Sequence, residues 1–269
     1  MAAEEPGPYD HLTDEEKQAL VRGKCNFLAL SLLSTVAFIQ SGTAAGYCDF
    51  ASRQVNFVSG FDQQQACSNL NLTRFDSNRE YYENMCNVFF TQHGVGFYGW
   101  YATVPVDTQL CFTYDQFVTG TGFVQVEFDA AFNAAKVFAV MANLWGAMAW
   151  FTIMFSSCCP LDNARIKGLS CYFSLAYICQ AFTFLIFASN VCQKGFLAQY
   201  FPNSSSFNDI VDNVTCSLGS GGSVSVSATV LYFICSLLAP MSLAPLPIGY
   251  RPVPPPPQTT DNVNQATGV

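Results

Sequence analysis

Charge is what this chain most lacks. Asp, Glu, Lys and Arg make up 11% of its 269 residues, where a soluble domain carries roughly 25%. The shortage is concentrated, because long stretches hold no charge at all. Basic residues are scarcer than acidic ones, for a formal net charge of −8. That excludes a nucleic-acid partner, which needs a basic face. Histidine is nearly absent: His11 and His93 are the only two, and the topology derived below puts them on opposite sides. A cysteine-based metal site is therefore not expected. No spacing links His93 to a nucleophile, so no enzyme and no cofactor are expected either.

Hydrophobic residues fill the deficit, at 51% of the chain with 25 Phe. Phe27 to Gly46 holds no charge over 20 residues, about the length that crosses a bilayer core. Val137 to Phe155, Leu169 to Val191 and Ser223 to about Ala244 are three further apolar runs. A cleaved signal peptide is the rival reading of the first run, because Thr43, Ala44 and Ala45 follow its apolar core. The long acidic leader and full-length apolar stretch favour a retained span. The fourth run ends among Pro240, Pro245 and Pro247, where a helix kinks or stops. Gly219 to Gly222 reads as a flexible lead-in to it. Thr13-Asp14-Glu15-Glu16 matches a capping box and predicts a short helix from about Asp14 to Gly23.

Basic residues set the expected orientation. With the N-terminus inside, Lys17, Arg22, Lys24, Arg165, Lys167 and Arg251 flank the cytoplasmic side. Arg53, Lys136 and Lys194 flank the outside. The expected division is 1–26 as a cytoplasmic N-terminus, 27–46 as the first span and 47–133 as a large outer loop. Residues 134–158 form the second span, 159–168 a cytoplasmic loop and 169–191 the third span. Residues 192–222 form the second outer loop, 223–244 the fourth span and 245–269 a Pro-rich cytoplasmic tail. The fold class is an α-helical membrane protein: a four-helix transmembrane bundle with a small β-rich extracellular domain from the first outer loop. A multi-pass protein of the plasma membrane or another secretory-pathway membrane follows.

Cysteine parity supports that sidedness. Cys48, Cys67, Cys86 and Cys111 fall in the first outer loop, and Cys192 and Cys216 in the second. Even numbers suit disulfides in an oxidising compartment. The second loop most simply closes Cys192 to Cys216, whereas the first admits three connectivities. Sequons at Asn71, Asn203 and Asn213 fall in the same two loops and predict N-glycans there. Cys25, Cys158 and Cys159 sit at the cytoplasmic boundary and read either as S-acylation sites or as small packing residues.

Between their flanks the spans carry no Asp, Glu, Lys, Arg or His, which transporters and pumps usually need. Gln40, Asn143 and Gln180 are the polar exceptions. Gln40 and Asn143 each lie about 9 Å inside the outer end of their spans at 1.5 Å per residue. They are expected to hydrogen-bond across helices, for roughly 0.6–2 kcal/mol. Small residues at four-residue spacing (Gly42 and Gly46; Ala131, Ala135 and Ala139; Ala142 and Gly146) suit close helix packing.

The first outer loop is rich in aromatics and is expected to fold. Its β-branched and aromatic stretch from Phe97 to Phe117, broken near Pro105, predicts a hairpin. Gly99-Trp100, then Cys111-Phe112-Thr113-Tyr114, precede the run Phe128-Asp129-Ala130-Ala131-Phe132-Asn133-Ala134-Ala135-Lys136. With four spans and a longer first outer loop, this region resembles the claudin and peripheral-myelin-protein superfamily. That family carries Gly-Leu-Trp and two cysteines, then a small-residue-rich second span preceded by a basic residue. Leu is missing here between Gly99 and Trp100. The resemblance implies a claudin-like architecture, with Cys86 or another cysteine as the first disulfide partner. Gly99, Trp100, Cys111 and Tyr114 form the expected recognition surface. Tetraspanins fit less well, because their Cys-Cys-Gly motif lies in an outer loop whereas Cys158-Cys159-Pro160 lies inside.

Arg251, Pro254 and Pro257 fit an Arg-x-x-Pro-x-x-Pro pattern in a polyproline stretch. Its two readings are an SH3-type ligand and a stiff spacer. The function expected from all this is structural or adhesive, organising membrane contacts or a membrane assembly through the outer domain. The expected partners are the lipid bilayer and either a second copy or another membrane protein. The alternative is an auxiliary or regulatory subunit of a channel or receptor, as some members of the resembled superfamily are.

Overall fold

The computed structural model of the protein describes residues 13–60, 93–103, 109–114, 128–156, 163–193, 209 and 211–243. Four of its helices are long and apolar enough to cross a membrane. They are α1 (Asp14–Gly46), α2 (Ala130–Phe155), α3 (Asn163–Phe182) and α4 (Ser220–Leu238). Thr183–Ala188 continues α3 as a 3-10 helix, and Ala239–Met241 does the same for α4. The strands are β1 (Ala51–Phe57), β2 (His93–Val95), β3 (Gly99–Thr103), β4 (Gln109–Thr113) and β5 (Val211–Leu218).

At the start of α1, Thr13 and Glu16 close the capping box reciprocally. The helix does not stop at Gly23, as the sequence suggested, but runs unbroken for 33 residues, about 50 Å at 1.5 Å each. Gly23 is there for proximity rather than for a break. A Cβ on it would meet the Leu243 side chain, and its carbonyl accepts from the Leu243 N–H at 3.2 Å. The Asn26 amide donates to the Met241 carbonyl at 3.2 Å. These bonds latch the chain after α4 to α1 at the end of the bundle away from the sheet.

The helices form a closed ring, with α1 against α2 and α4, and α3 against α2 and α4. Leu30, Ala37, Ala149, Ile153, Phe173, Tyr232 and Cys235 fill its centre. Along α2 the buried face is Phe132, Ala135, Ala139, Ala142, Gly146, Ala149 and Ile153. The small residues of this helix thus serve packing within the chain, whereas Gly42 and Gly46 on α1 are exposed. Trp150 of α2 donates to Thr35 of α1 at 2.9 Å and stacks on Phe38.

All the described strands belong to one antiparallel sheet in the order β4-β3-β2-β1-β5. β3 and β4 are the arms of the expected hairpin. The sequence drew the β-rich domain from the first loop alone, but β5 comes from the second. It pairs with β1 over the full length of that strand, so both loops build one unit at one end of the bundle.

Gly146 and Tyr232 give the bundle a testable fit. Tyr232 is fully buried, its hydroxyl makes no well-formed hydrogen bond among the described residues, and a Cβ on Gly146 would meet that hydroxyl and the ring. Gly146→Ala is expected to cost about 1–3 kcal/mol by overpacking. Tyr232→Phe should be near neutral, and the double variant should cost less than the single alanine. Unfolding equilibria in mixed micelles read the cycle; additive energies would contradict this packing.

Candidate functional site

The sheet is rooted in the short link between α1 and β1. An α-helix begins with N–H groups that have no partner inside it. At the start of α4, Gly219 and Gly222 donate to the Phe50 carbonyl, each at 3.1 Å. Gly221 donates to the Asp49 carbonyl at 2.8 Å. Ser220 donates to the Asp49 carboxylate through its N–H at 3.2 Å and its hydroxyl at 3.0 Å. Two residues from another part of the chain therefore cap the helix, which has no side-chain cap of its own. A carboxylate also suits the positive end of the helix dipole. The glycines read as a flexible lead-in are instead a tight seat: a Cβ on Gly222 would strike the Phe50 carbonyl. From the other side Gly96 presses on the link, where a Cβ would strike the Tyr47 carbonyl.

A second aspartate ties the other helices together. Asp129 caps α2 by accepting from the Phe132 N–H at 2.9 Å, and its other oxygen accepts from the Asn190 N–H at 2.8 Å. Asn190 lies in a 3-10 turn, Asn190–Cys192, that follows α3. Two disulfides complete the fastening. Cys48 joins Cys111 on β4, and Cys192 joins Cys216 on β5. The partner of Cys111 is thus Cys48, at the base of the first strand.

Beneath the sheet lies an aromatic layer. Phe50 and Phe97 are fully buried with ring centroids 4.6 Å apart, and Phe132 and Ile186 complete the cluster. Tyr114 was expected on the recognition surface, yet it turns inward. Its hydroxyl donates to the Gly96 carbonyl at 2.8 Å, and its ring meets Phe128 edge-on at 4.9 Å. Lys136, at the start of α2, sits 4.8 Å over the exposed Tyr98 ring, a cation–π contact that ties the β2–β3 turn to the bundle.

The alternation of β1 separates its two faces. Ala51 and Arg53 are buried, whereas Gln54 and Asn56 are exposed. Across the register Gln54 meets Thr215 and Asn56 meets Asn213, and Thr215 and Asn213 are exposed as well. Asn56 donates to the Asn213 Oδ1 at 2.6 Å. The exposed face of β1 and β5 is therefore an uncharged ladder of amides and hydroxyls.

Of the expected recognition residues, Gly99 and Trp100 lie on β3 and Cys111 on β4, with Gly99 buried and Cys111 exposed. Asn213 is exposed on β5, and its bond to Asn56 uses Oδ1 rather than Nδ2, the atom a glycan would take. Cys25 is a free, exposed thiol on α1. Cys67, Cys86, Asn71, Asn203, Cys158, Cys159, Arg251, Pro254 and Pro257 lie outside the described residues.

The expected Gln40–Asn143 bond is not formed. Asn143 donates to the Ala139 carbonyl of its own helix at 3.0 Å. Its Oδ1 and the Gln40 Oε1 are buried without partners among the described residues. The third amide, Gln180, does join helices. It accepts from the Ser41 hydroxyl of α1 at 2.7 Å and donates to the Ser225 hydroxyl of α4 at 2.7 Å. Thr183 stands 3.2 Å from the same Ser225 hydroxyl. Ser41, Gln180, Thr183 and Ser225 are all at most 2% exposed. Gln180 was visible in the sequence as a lone amide, but its hydroxyl partners are too common there to stand out.

No protein-family model matches this chain, and no curated protein sequence does either.

The polar layer predicts a ranking opposite to that of the sequence. Gln180→Leu strips partners from two buried hydroxyls and is expected to cost about 1–3 kcal/mol. Gln40→Leu and Asn143→Leu break none of the described bonds between helices, and each should cost under about 1 kcal/mol. Chemical unfolding in micelles measures all three. A Gln180 variant no worse than the other two would contradict the network.

Proposed function

We propose that this chain is a structural or adhesive four-span membrane protein of claudin-like architecture. Its outer sheet would organise contacts between membranes or an assembly within one. Both termini would face the cytoplasm, in the plasma membrane or another secretory-pathway membrane. The observation that carries the reading is how firmly the sheet is held. Asp49 and Phe50 seat it on α4, Asp129 and Asn190 join the helices beneath it, and two disulfides bind its edge strands back to span ends. A platform so fixed presents its face with little ordering entropy left to lose, the condition that favours recognition. The cysteine pairing and the shared position of the sequons in the two loops support an oxidising, lumenal side for the sheet.

In this reading the contact surface is the sheet, including the hairpin that carries Gly99, Trp100 and Cys111. N-glycans at Asn71, Asn203 and Asn213 would border it. The tail residues Arg251, Pro254 and Pro257 would offer an SH3-type ligand inside, and Cys25, Cys158 and Cys159 would take acyl chains.

Expression in a non-adherent cell line tests the reading. Transfected cells are expected to cluster, and Gln54→Arg, which sets a charge on the exposed ladder, should weaken clustering at equal surface expression. Dispersed cells together with stoichiometric co-purification of a larger membrane protein would favour the auxiliary-subunit reading. Ion flux through the purified chain in liposomes would contradict both.

A further inference from the structure

The third span changes helix type inside the bundle. Its α-helical bonding ends at Phe182, and Thr183–Ala188 follows as six residues of 3-10 helix. Such runs are common at helix ends but seldom exceed 3–4 residues, and this one closes the helix at Ser189, whose backbone is extended. Here each end of the segment is held by a different layer of the protein.

On the bundle side the holder is Thr183. Its hydroxyl donates to the Gln180 carbonyl at 2.6 Å, taking up an acceptor where the helix type changes. The same hydroxyl stands beside Ser225, the partner of the Gln180 side chain. On the sheet side the holders are Phe184 and Phe187. Residues three apart eclipse in a 3-10 helix, whereas an α-helix would set them about 60° apart. The eclipsed pair stack on each other at 6.1 Å and both meet Phe50, at 5.8 and 6.5 Å. Phe50 is the residue that seats the sheet on α4. Beyond the segment, Asn190 is tied to Asp129, and Cys192 is covalently joined to β5.

We propose that Thr183–Ala188 is a conformational relay, an α/3-10 switch that couples displacement of the outer sheet at Phe50 to the hydrogen bonds of Gln180 inside the bundle. Movement of Phe50 takes the support from Phe184 and Phe187. The segment then rewinds toward α-helix, which turns Phe187 away and draws the Thr183 hydroxyl from Ser225. Ser41 and Ser225 carry the change to α1 and α4. The coupling runs both ways, as any linkage between two sites must. It is a property of the chain alone and does not depend on what binds the sheet.

Nuclear magnetic resonance of the full chain in lipid nanodiscs tests the relay, with the Ala188 Cα and the Gln180 side-chain amide as reporters. Phe50→Leu perturbs the sheet side and Thr183→Val the bundle side. Phe187→Leu, at a half-buried position, repeats the sheet-side perturbation if Phe50→Leu does not fold. Phe38→Leu, which removes the ring stacked on Trp150 at 5.5 Å, away from the segment, is the control. The sheet-side variant is expected to shift the Gln180 amide, and Thr183→Val to move the Ala188 Cα toward its α-helical position. The control should move neither. A sheet-side variant that shifts Ala188 but leaves Gln180 in place would overturn the relay, as would an unmoved Ala188 in Thr183→Val.

Discussion

The start of α4 depends on two residues that are not part of it. Asp49 and Phe50 take all the N–H groups from Gly219 to Gly222, so α4 begins without an unpartnered donor. Near a bilayer an unmet backbone donor is costly, because lipid offers no replacement. Satisfying it this way has consequences for the rest of the fold. The link from α1 must run across the head of α4, which fixes where β1 starts and therefore how β5 can pair with it. Cys48, one residue before Asp49, then stands where Cys111 can reach it, with Cα atoms 5.8 Å apart. Phe50 is driven into the aromatic layer by the same placement. Sheet and bundle are in this sense one unit, and the Asp49–Phe50 dipeptide sets how they meet.

Inside the bundle the same scarcity of polar groups decides what matters. Helices in lipid have little hydrophobic drive to associate and rely on close packing and a few hydrogen bonds. The buried alanines of α2 supply the first, and the Ser41–Gln180–Ser225 chain supplies the second. This chain crosses three helices at the height where α3 turns to 3-10. The helix α3 with its 3-10 end is thus held from within by hydroxyls and from the sheet side by phenylalanines.

Local features were legible in the sequence. Thr13 and Glu16 announced their capping box, the charge-free runs announced the four long apolar helices, and Cys192 had an obvious partner in Cys216. The β3–β4 hairpin was readable because its aromatic and β-branched residues lie close together. What escaped depended on distant residues. Gly23 resembles a helix end until Leu243 is seen against it. Gly219 to Gly222 resemble a flexible stretch until the Asp49–Phe50 link is laid across them. Equal depth suggested that Gln40 and Asn143 would meet, but depth says nothing of direction around the helix. Successive residues differ by about 100°, so Ser41 faces Gln180 while its neighbour Gln40 does not.

The proposed role as a membrane organiser draws on this one joint, since a recognition face is useful only if the bundle holds it still. Amide hydrogen exchange of the intact chain in nanodiscs tests the joint directly. The N–H groups of Ser220, Gly221 and Gly222 are predicted to be as protected as those in the middle of α4, and to lose that protection in Asp49→Ala. Exchange at the rate of a frayed helix start in the unaltered protein would contradict the account.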